Sequence, residues 1–418
     1  MQVANKAGKN DVSGGISRRG FLAGAAGAGS IAMADRMAMA QAMLSGGSDL
    51  SVADIRGWGE VPGVVDIGDN ENAYGPSPMA VRAVAENIMD VNRYDFTAPR
   101  ELANAIGRYH GFDEPPPVNS PWAPSGYPVY VEGGSSFILN LVAHRFGIRN
   151  NTGEIIEAEP AYGGITRFVQ VYRDRFGAEI ETKRVPLNSD HQHDLDAMLE
   201  AVTDQTTLVV LTNPNNPTGT IIPQADIERF VAAVPNSVMV FIDEAYIDYV
   251  REPGYGNSIA LTQKYDNVIV SRTYSKVYGL AGLRLGYAVA NKALIDEMRF
   301  FGNSGGIGSV NCYAGIAALD DRGFVRRVLR STNQVKDYFY DELDRMSLEP
   351  IPSHGAFVLV NMQQDAAALA GRMRERNIKL SRLGLDGLRN YDNFLRFSMG
   401  TPEELEVTVK VLKEEMSA

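Results

Sequence analysis

Three short apolar runs constrain the fold of this chain more than anything else in it. They are Thr207–Leu211 (TLVVL), Ser237–Ile242 (SVMVFI) and Asn267–Val270 (NVIV). Each is brief, rich in β-branched residues and continuous rather than alternating, as a strand buried on both faces must be. Between the first two, Ile227–Val234 has helical spacing of apolar residues and reads as a crossover helix. Strand, helix and strand in that order give a right-handed crossover and a parallel sheet with helices on both faces. Open sheets of this kind bind ligands beyond the C-terminal ends of their strands. Chemistry is therefore expected in the residues that follow each run.

The third run leads into Ser271–Tyr287, SRTYSKVYGLAGLRLGY. It carries hydroxyls at Ser271, Thr273 and Ser275, an amine at Lys276 and a guanidinium at Arg284. Hydroxyls and an arginine anchor a phosphate dianion, because guanidinium is permanently charged and binds in two places at once. A lysine kept partly neutral by desolvation and a neighbouring cation attacks a carbonyl to form a Schiff base. The ligand that satisfies both is an aldehyde bearing a phosphate, which is pyridoxal phosphate. On a solvated surface loop the same residues would make only an ordinary ion pair. The second run ends in Asp243-Glu244-Ala245-Tyr246. A carboxylate there is suited to holding a pyridine nitrogen protonated, or simply to starting a helix; Tyr246 is placed to reach the cofactor's phenolic oxygen. The first run is followed by Asn213–Gly219 (NPNNPTG), in which the prolines fix the path, Gly219 permits a positive φ and Asn216 presents an amide. An ordinary tight turn would explain that segment alone. It does not explain an amide, a carboxylate and a lysine at three successive strand ends.

The order NPNNPTG, DEAY, RTYSKVYGLAGLRLGY resembles the fold-type I pyridoxal-phosphate aminotransferases, and is most similar to their histidinol-phosphate aminotransferase branch. Asn70–Pro78 (NENAYGPSP) is similar to that branch's NENPYGPSP, with Ala73 in place of proline. Arg93-Tyr94-Asp95 resembles its RYP, Glu159–Tyr162 (EPAY) its P-x-Y, Pro352–Val360 (PSHGAFVLV) its PS-x-x-NFV, and Phe394–Gly400 (FLRFSMG) its LRIS-x-G. The likeness runs from about residue 64 to the C-terminus.

The resemblance implies an α/β fold. A large domain has a mostly parallel central sheet flanked by helices, and a smaller α+β domain lies at the C-terminus. It implies Lys276, Asp243 and Tyr246 as catalytic residues. The cofactor would be pyridoxal 5'-phosphate, bound by Gly134, Ser135, Ser136, Tyr162, Asn216, Asp243, Tyr246, Thr273, Ser275, Lys276 and Arg284. The Gly-Ser turn after Val129–Glu132 (VYVE) is a weak signal by itself, but it opens a helix whose N–H groups and positive dipole end can face an anion, and the resemblance implies that it binds the cofactor phosphate. Tyr94 occupies the position from which this family reaches across a dimer interface to the cofactor phosphate, which implies a homodimer. Arg396 would clamp the substrate carboxylate, with Tyr74 and Asn216 beside it, and Arg382 aligns with an arginine the branch uses on a substrate phosphate. The expected reaction is amino transfer between an L-amino acid, or a related amine, and a 2-oxo acid through a Lys276 Schiff base. Oxidation, decarboxylation or elimination on the same scaffold is the alternative, because these reactions share the first step.

The N-terminus carries a different message. Ser17-Arg18-Arg19-Gly20-Phe21-Leu22 precedes an Ala/Gly-rich apolar stretch and small-residue sites near Ala38–Ala42. This resembles a signal read by the twin-arginine export machinery and predicts a periplasmic enzyme, or a cytoplasmic one where the signal is not functional. The stretch is too short and too weakly apolar for a stable membrane span. We therefore expect a signal over 1–42, an arm over 43–75, a large domain over 76–318 and a small domain over 319–418. His110–Tyr127, rich in proline, reads either as a surface loop or as a lining of the active-site entrance, the loop being the simpler reading. The net charge of −11 argues against nucleic acid as a partner. One cysteine, Cys312, excludes an intrachain disulfide framework, and five histidines lack metal-ligand spacing, so no metal site is expected.

Overall fold

The computed structural model describes residues 63–417, apart from 118–119, 121–122, 303–305, 383–384 and 386. The predicted export signal and most of the predicted arm lie outside the described residues. Among the described residues twelve strands form three sheets. Val65–Asp66 (β1) pairs with Ile378–Lys379 (β11). The central sheet comprises Val129–Glu132 (β2), Thr152–Glu159 (β3), Glu179–Pro186 (β4), Thr206–Thr212 (β5), Met239–Asp243 (β6), Val268–Thr273 (β7) and Gly286–Ala290 (β8). Its order is β2-β8-β7-β6-β5-β3-β4. A three-stranded antiparallel sheet is built from Glu349–Ile351 (β9), Phe357–Asn361 (β10) and Phe394–Ser398 (β12), in the order β12-β10-β9.

The three apolar runs are neighbouring parallel strands at the centre of the large sheet. Their continuous apolar character has a direct cause. Val240 and Ile242 of β6 enter one core, while Met239 and Phe241 enter the core on the opposite face. Successive side chains alternate across a pleated strand, so a strand covered on both faces needs apolar residues throughout. Burying each Val, Ile or Phe contributes about 1.5–3 kcal/mol. Register completes the geometry. Thr212 pairs with Asp243, and Asp243 with Ser271, so the three strands end level and the segments after them share one crevice.

One strand departs from the parallel pattern. β8 runs antiparallel to both β7 and β2, and the segment Tyr274–Leu285 that turns the chain back between β7 and β8 carries Lys276 and Arg284. Helix starts follow local capping chemistry: Ser77 accepts from the Ala80 amide before Pro78–Asn87, and Asp321 accepts from the Phe324 amide before the long helix Arg322–Arg345. A separate core lies in the C-terminal part and collects residues from that long helix, β10 and β12. The predicted boundary at 318/319 does not coincide with a break between cores. Phe324 and Val328 at the start of the long helix pack with the large sheet, whereas Val65 and Ile67 of the arm pack with the C-terminal core. Among the described residues no helix is long and apolar enough to cross a membrane.

Candidate active site

A cavity of about 230 Å³ opens where β5, β6 and β7 end. Its wall includes Ser135, Ser136, Tyr162, Asn216, Asp243, Tyr246, Thr273, Ser275, Lys276, Arg284 and Arg396. These residues come from sequence positions spread over more than half the chain, and the level strand ends bring them together.

The basic end is built from backbone as much as from side chains. Gly134 adopts φ +93°, and a Cβ there would lie 2.6 Å from Arg284 Nη2. The helix Ser135–Val142 begins directly after it, with no side chain capping its N-terminus. Arg284 itself takes a left-handed conformation, φ +52°, and donates through Nη1 to the Ala281 carbonyl at 2.8 Å. Thr273 Oγ1 donates to Ser275 Oγ at 3.0 Å and accepts from the Ser275 amide at 3.1 Å. An uncovered helix start, a guanidinium and two hydroxyls meet around one point, which is what a phosphate needs.

At the far side of the crevice Asp243 is buried, and its Oδ1 accepts from the Ala245 amide at 3.1 Å. Burial pushes its carboxyl up to about 7. Immediately beneath, Glu244 Oε2 receives both Nε and Nη2 of Arg272 at 3.0 and 2.8 Å. Arg272 is on the opposite face of β7 from Thr273, as the two-residue period requires. Lys276 Nζ donates to the Asp69 carbonyl at 3.1 Å and lies 5.5 Å from the centroid of the Tyr246 ring. The Tyr162 ring carries the Arg167 guanidinium at 4.8 Å on one side and contributes to the cavity wall.

The third corner is the Arg396 guanidinium, 2% exposed. Nη1 donates to Asn216 Oδ1 at 2.7 Å, and Nη2 to the Gly68 carbonyl at 2.5 Å. Nε has no hydrogen-bond partner among the described residues. Its hydrogen-bonded acceptors are neutral oxygens, and burial lowers its pKa. A buried cation with a spare donor and no hydrogen-bonded anion is suited to a carboxylate ligand.

The aminotransferase class I and II family model matches residues 62–412, covering this entire arrangement. The chain belongs to the aminotransferase class I and II family. It is accordingly a pyridoxal-phosphate-dependent enzyme of amino-group transfer. The aminotransferase is 35% identical over 356 residues to histidinol-phosphate aminotransferase 1 of Cupriavidus pinatubonensis, covering 84% of this chain and 88% of that one. It is 33% identical over 355 residues to the histidinol-phosphate aminotransferase of Moorella thermoacetica, covering 85% and 86%. Its fold matches that of the histidinol-phosphate aminotransferase of Sinorhizobium meliloti, solved in complex with pyridoxal-5'-phosphate. The TM-score is 0.73 at 24% identity, over 85% of this chain and 91% of the other.

The residues of this aminotransferase fit that cofactor. Asp243 is a buried carboxyl held up by desolvation, so a protonated ring nitrogen beside it would relieve the cost of its charge. The uncapped helix start and Arg284 supply a phosphate cradle that a side chain at Gly134 would fill.

Three predicted site residues lie elsewhere. Tyr74 is buried in the large core rather than on the cavity wall. Asn72 is the cause: it accepts from the Tyr74 amide and donates to the Val277 carbonyl, both at 2.9 Å, and so fixes the turn that carries Tyr74. Arg382 does not line the cavity; its Nη1 donates to the carbonyls of Asp392 and Phe394 at 3.1 and 2.7 Å. Tyr94 is 91% exposed, stacks on Phe96 at 5.5 Å and does not line the cavity. Three contributors escaped the sequence reading. The carbonyls of Gly68 and Asp69 hold Arg396 and Lys276, and Asn70 bonds Tyr246. Asn70 stands in the quoted NENAYGPSP segment, yet nothing in an uncharged asparagine signals such a role.

Proposed function

We propose that this aminotransferase exchanges the amino group of an L-amino acid with a 2-oxo acid, and that Lys276 both tethers the cofactor and carries the proton. The supporting observation is a single cavity lined by the Lys276 amine, the buried Asp243 carboxyl and the buried Arg396 guanidinium. When bound, pyridoxal phosphate supplies an electron sink that acidifies the Cα–H bond of an amino acid. The Gly134–Ser136 turn, Thr273, Ser275 and Arg284 would hold its phosphate, and Asp243 its ring nitrogen. Tyr162 would face its ring, and Tyr246 and Asn216 its phenolic oxygen. Arg396 receives the substrate carboxylate on its spare donor and so fixes the direction of the Cα–H bond. Lys276 Nζ, on the cavity wall, would take up the Cα proton and hold it for return.

A second reading takes an amino-alcohol phosphate as substrate. The names of the relatives favour it, whereas the engagement of Arg382 by two backbone carbonyls speaks against a phosphate at that arginine. The test is to titrate the holoenzyme, without an acceptor, with a panel of amino acids and with histidinol phosphate, following its visible absorbance. Loss of the Lys276-linked band with one amino acid and release of its oxo acid supports the proposal; a response to histidinol phosphate alone selects the second reading. Consumption of oxygen or release of carbon dioxide overturns both in favour of oxidation or decarboxylation. Lys276→Ala should abolish the band and lower turnover by at least about 10⁴-fold.

Three further parts of the reading concern assembly and place. The exposed apolar run Met89, Val91, Tyr94 and Phe96 supports a homodimer in which Tyr94 reaches the partner's cofactor phosphate. Two separate cores support a division into a large and a small C-terminal domain. The Arg18-Arg19 segment and its apolar sequel support twin-arginine export to the periplasm. Export fails if Arg18→Lys with Arg19→Lys leaves the location of the protein unchanged.

A further inference from the structure

Asn70 is buried at 2% exposure in a left-handed conformation, φ +55°, which asparagine tolerates better than most residues. It is the meeting point of three segments distant in sequence. Its backbone N–H donates to Ser398 Oγ at 3.0 Å, Ser398 Oγ donates to Asn70 Oδ1 at 2.7 Å, and Asn70 Nδ2 donates to Tyr246 Oη at 3.0 Å. The directions follow from donor and acceptor chemistry. A backbone N–H can only donate, so the Ser398 oxygen accepts there and spends its own proton on Oδ1. That fixes the side-chain amide with its NH₂ toward Tyr246. The Tyr246 oxygen accepts this bond, and its proton must go elsewhere. Tyr246 lines the cavity, and the edge of its ring is fixed against Phe357, with centroids 5.0 Å apart at 82°.

We infer that Asn70 is a positioning residue that sets the direction of the Tyr246 hydroxyl, compelling it to donate a proton into the cavity. The inference rests on reading the cavity as a pyridoxal phosphate site with Tyr246 beside the phenolic oxygen. A donor at that oxygen favours its anionic form and therefore lowers the pH at which the Lys276-linked cofactor loses its proton. Ser398 acts as the lock on the amide. It lies two residues after Arg396 in β12, so the same short strand carries the carboxylate clamp and the residue that orients Asn70.

The test is the pH midpoint of the visible absorbance change of the holoenzyme, together with its affinity for pyridoxal phosphate. Asn70→Asp keeps shape and tolerance for the backbone conformation but replaces the NH₂ donor by an acceptor, so the Tyr246 proton turns back toward residue 70. An upward shift of about 1–2 pH units is expected, the equivalent of one lost hydrogen bond to a charged group. Tyr246→Phe should shift the midpoint likewise, and the double variant should shift it no further than Tyr246→Phe alone. Ser398→Ala, which frees the amide to flip, should give a smaller shift of the same sign, and it decides the matter should Asn70→Asp not fold. Midpoints within about 0.2 unit of wild type in both single variants, while Tyr246→Phe shifts, would overturn the inference. So would an Asn70→Asp shift that adds in full to that of Tyr246→Phe, since it would then be the effect of a new charge alone. A wild-type holoenzyme with no Lys276-linked band would overturn the parent reading, and this inference with it. A normal wild-type band with an unmoved Asn70→Asp midpoint overturns this inference only.

Discussion

Arg396 Nη1 donates to Asn216 Oδ1 across 2.7 Å, joining the last strand of the small sheet to the loop that follows β5. The amide braces the guanidinium, and among the described residues Nε is left without a partner. Arg396→Ala should raise KM for amino acids about 10²–10³-fold, in line with loss of a buried charge-assisted pair. Amines lacking a carboxylate should lose far less. Steady-state kinetics on matched amino acid and amine pairs make the comparison.

The buried Asp243 gives a pH signature in the cofactor-free protein. Its folded pKa is about 7 against an ordinary 3.8, so the folded chain holds this proton more tightly than the unfolded chain. For a carboxyl shifted in this direction, stability is full below the unfolded value and is lost as pH rises toward the folded one. Between about pH 4 and 7 the loss reaches on the order of 4 kcal/mol as an upper bound. Urea unfolding across that range should show a falling midpoint, flattened by pyridoxal phosphate and absent in Asp243→Asn.

The Arg272–Glu244 pair is a two-pronged contact with Glu244 fully shielded from solvent. Glu244 Oε1 also accepts from the Ser258 amide at 2.6 Å. Removing one partner strands the other charge, so Glu244→Ala should cost about 3–5 kcal/mol. Glu244→Ala combined with Arg272→Met should recover part of it. Chemical denaturation of the three variants decides, and cofactor affinity should fall in parallel because Asp243 and Thr273 are the immediate neighbours.

Gly219 closes the Asn213–Gly219 loop with φ +76°, and a Cβ there would sit 2.0 Å from Ser353 Oγ. Its carbonyl also accepts from the His354 amide at 2.7 Å. Gly219→Ala should therefore destabilise by more than the roughly 1–2 kcal/mol of the backbone conformation alone. Adding Ser353→Gly should relieve the side-chain part of the clash and recover only part of the loss, since the Ser353 Cα would still lie 3.0 Å from the new Cβ and the Gly355 amide would lose its hydroxyl partner. Thermal unfolding of both variants separates the two contributions.

The sheet centre was legible in sequence because both faces of β5, β6 and β7 are covered, which leaves no polar interruption to blur the runs. The level strand ends then made an amide, a carboxylate and a lysine into one site. Side-chain direction was not legible. Tyr74 sits in a recognisable motif, but the two hydrogen bonds of Asn72 turn its segment toward the core. The role of Asn70 depends on contacts 176 and 328 residues away, beyond any local pattern. The antiparallel course of β8 was hidden for a related reason. β8 approaches the Gly-Ser turn so closely that a Cβ at Gly286 would meet the Ser135 amide nitrogen at 2.4 Å, and local spacing carries no trace of that approach.

Arg396 belongs to a strand of the small sheet but is held by Gly68 and Asn216, one in the arm and the other beyond the large sheet. A carboxylate settling on that guanidinium would be gripped by both cores at once. Ligand affinity and the cohesion of the two cores are then one thermodynamic quantity seen from two ends: whatever loosens their contact weakens binding by the same factor, and a tightly held substrate works as a removable rivet.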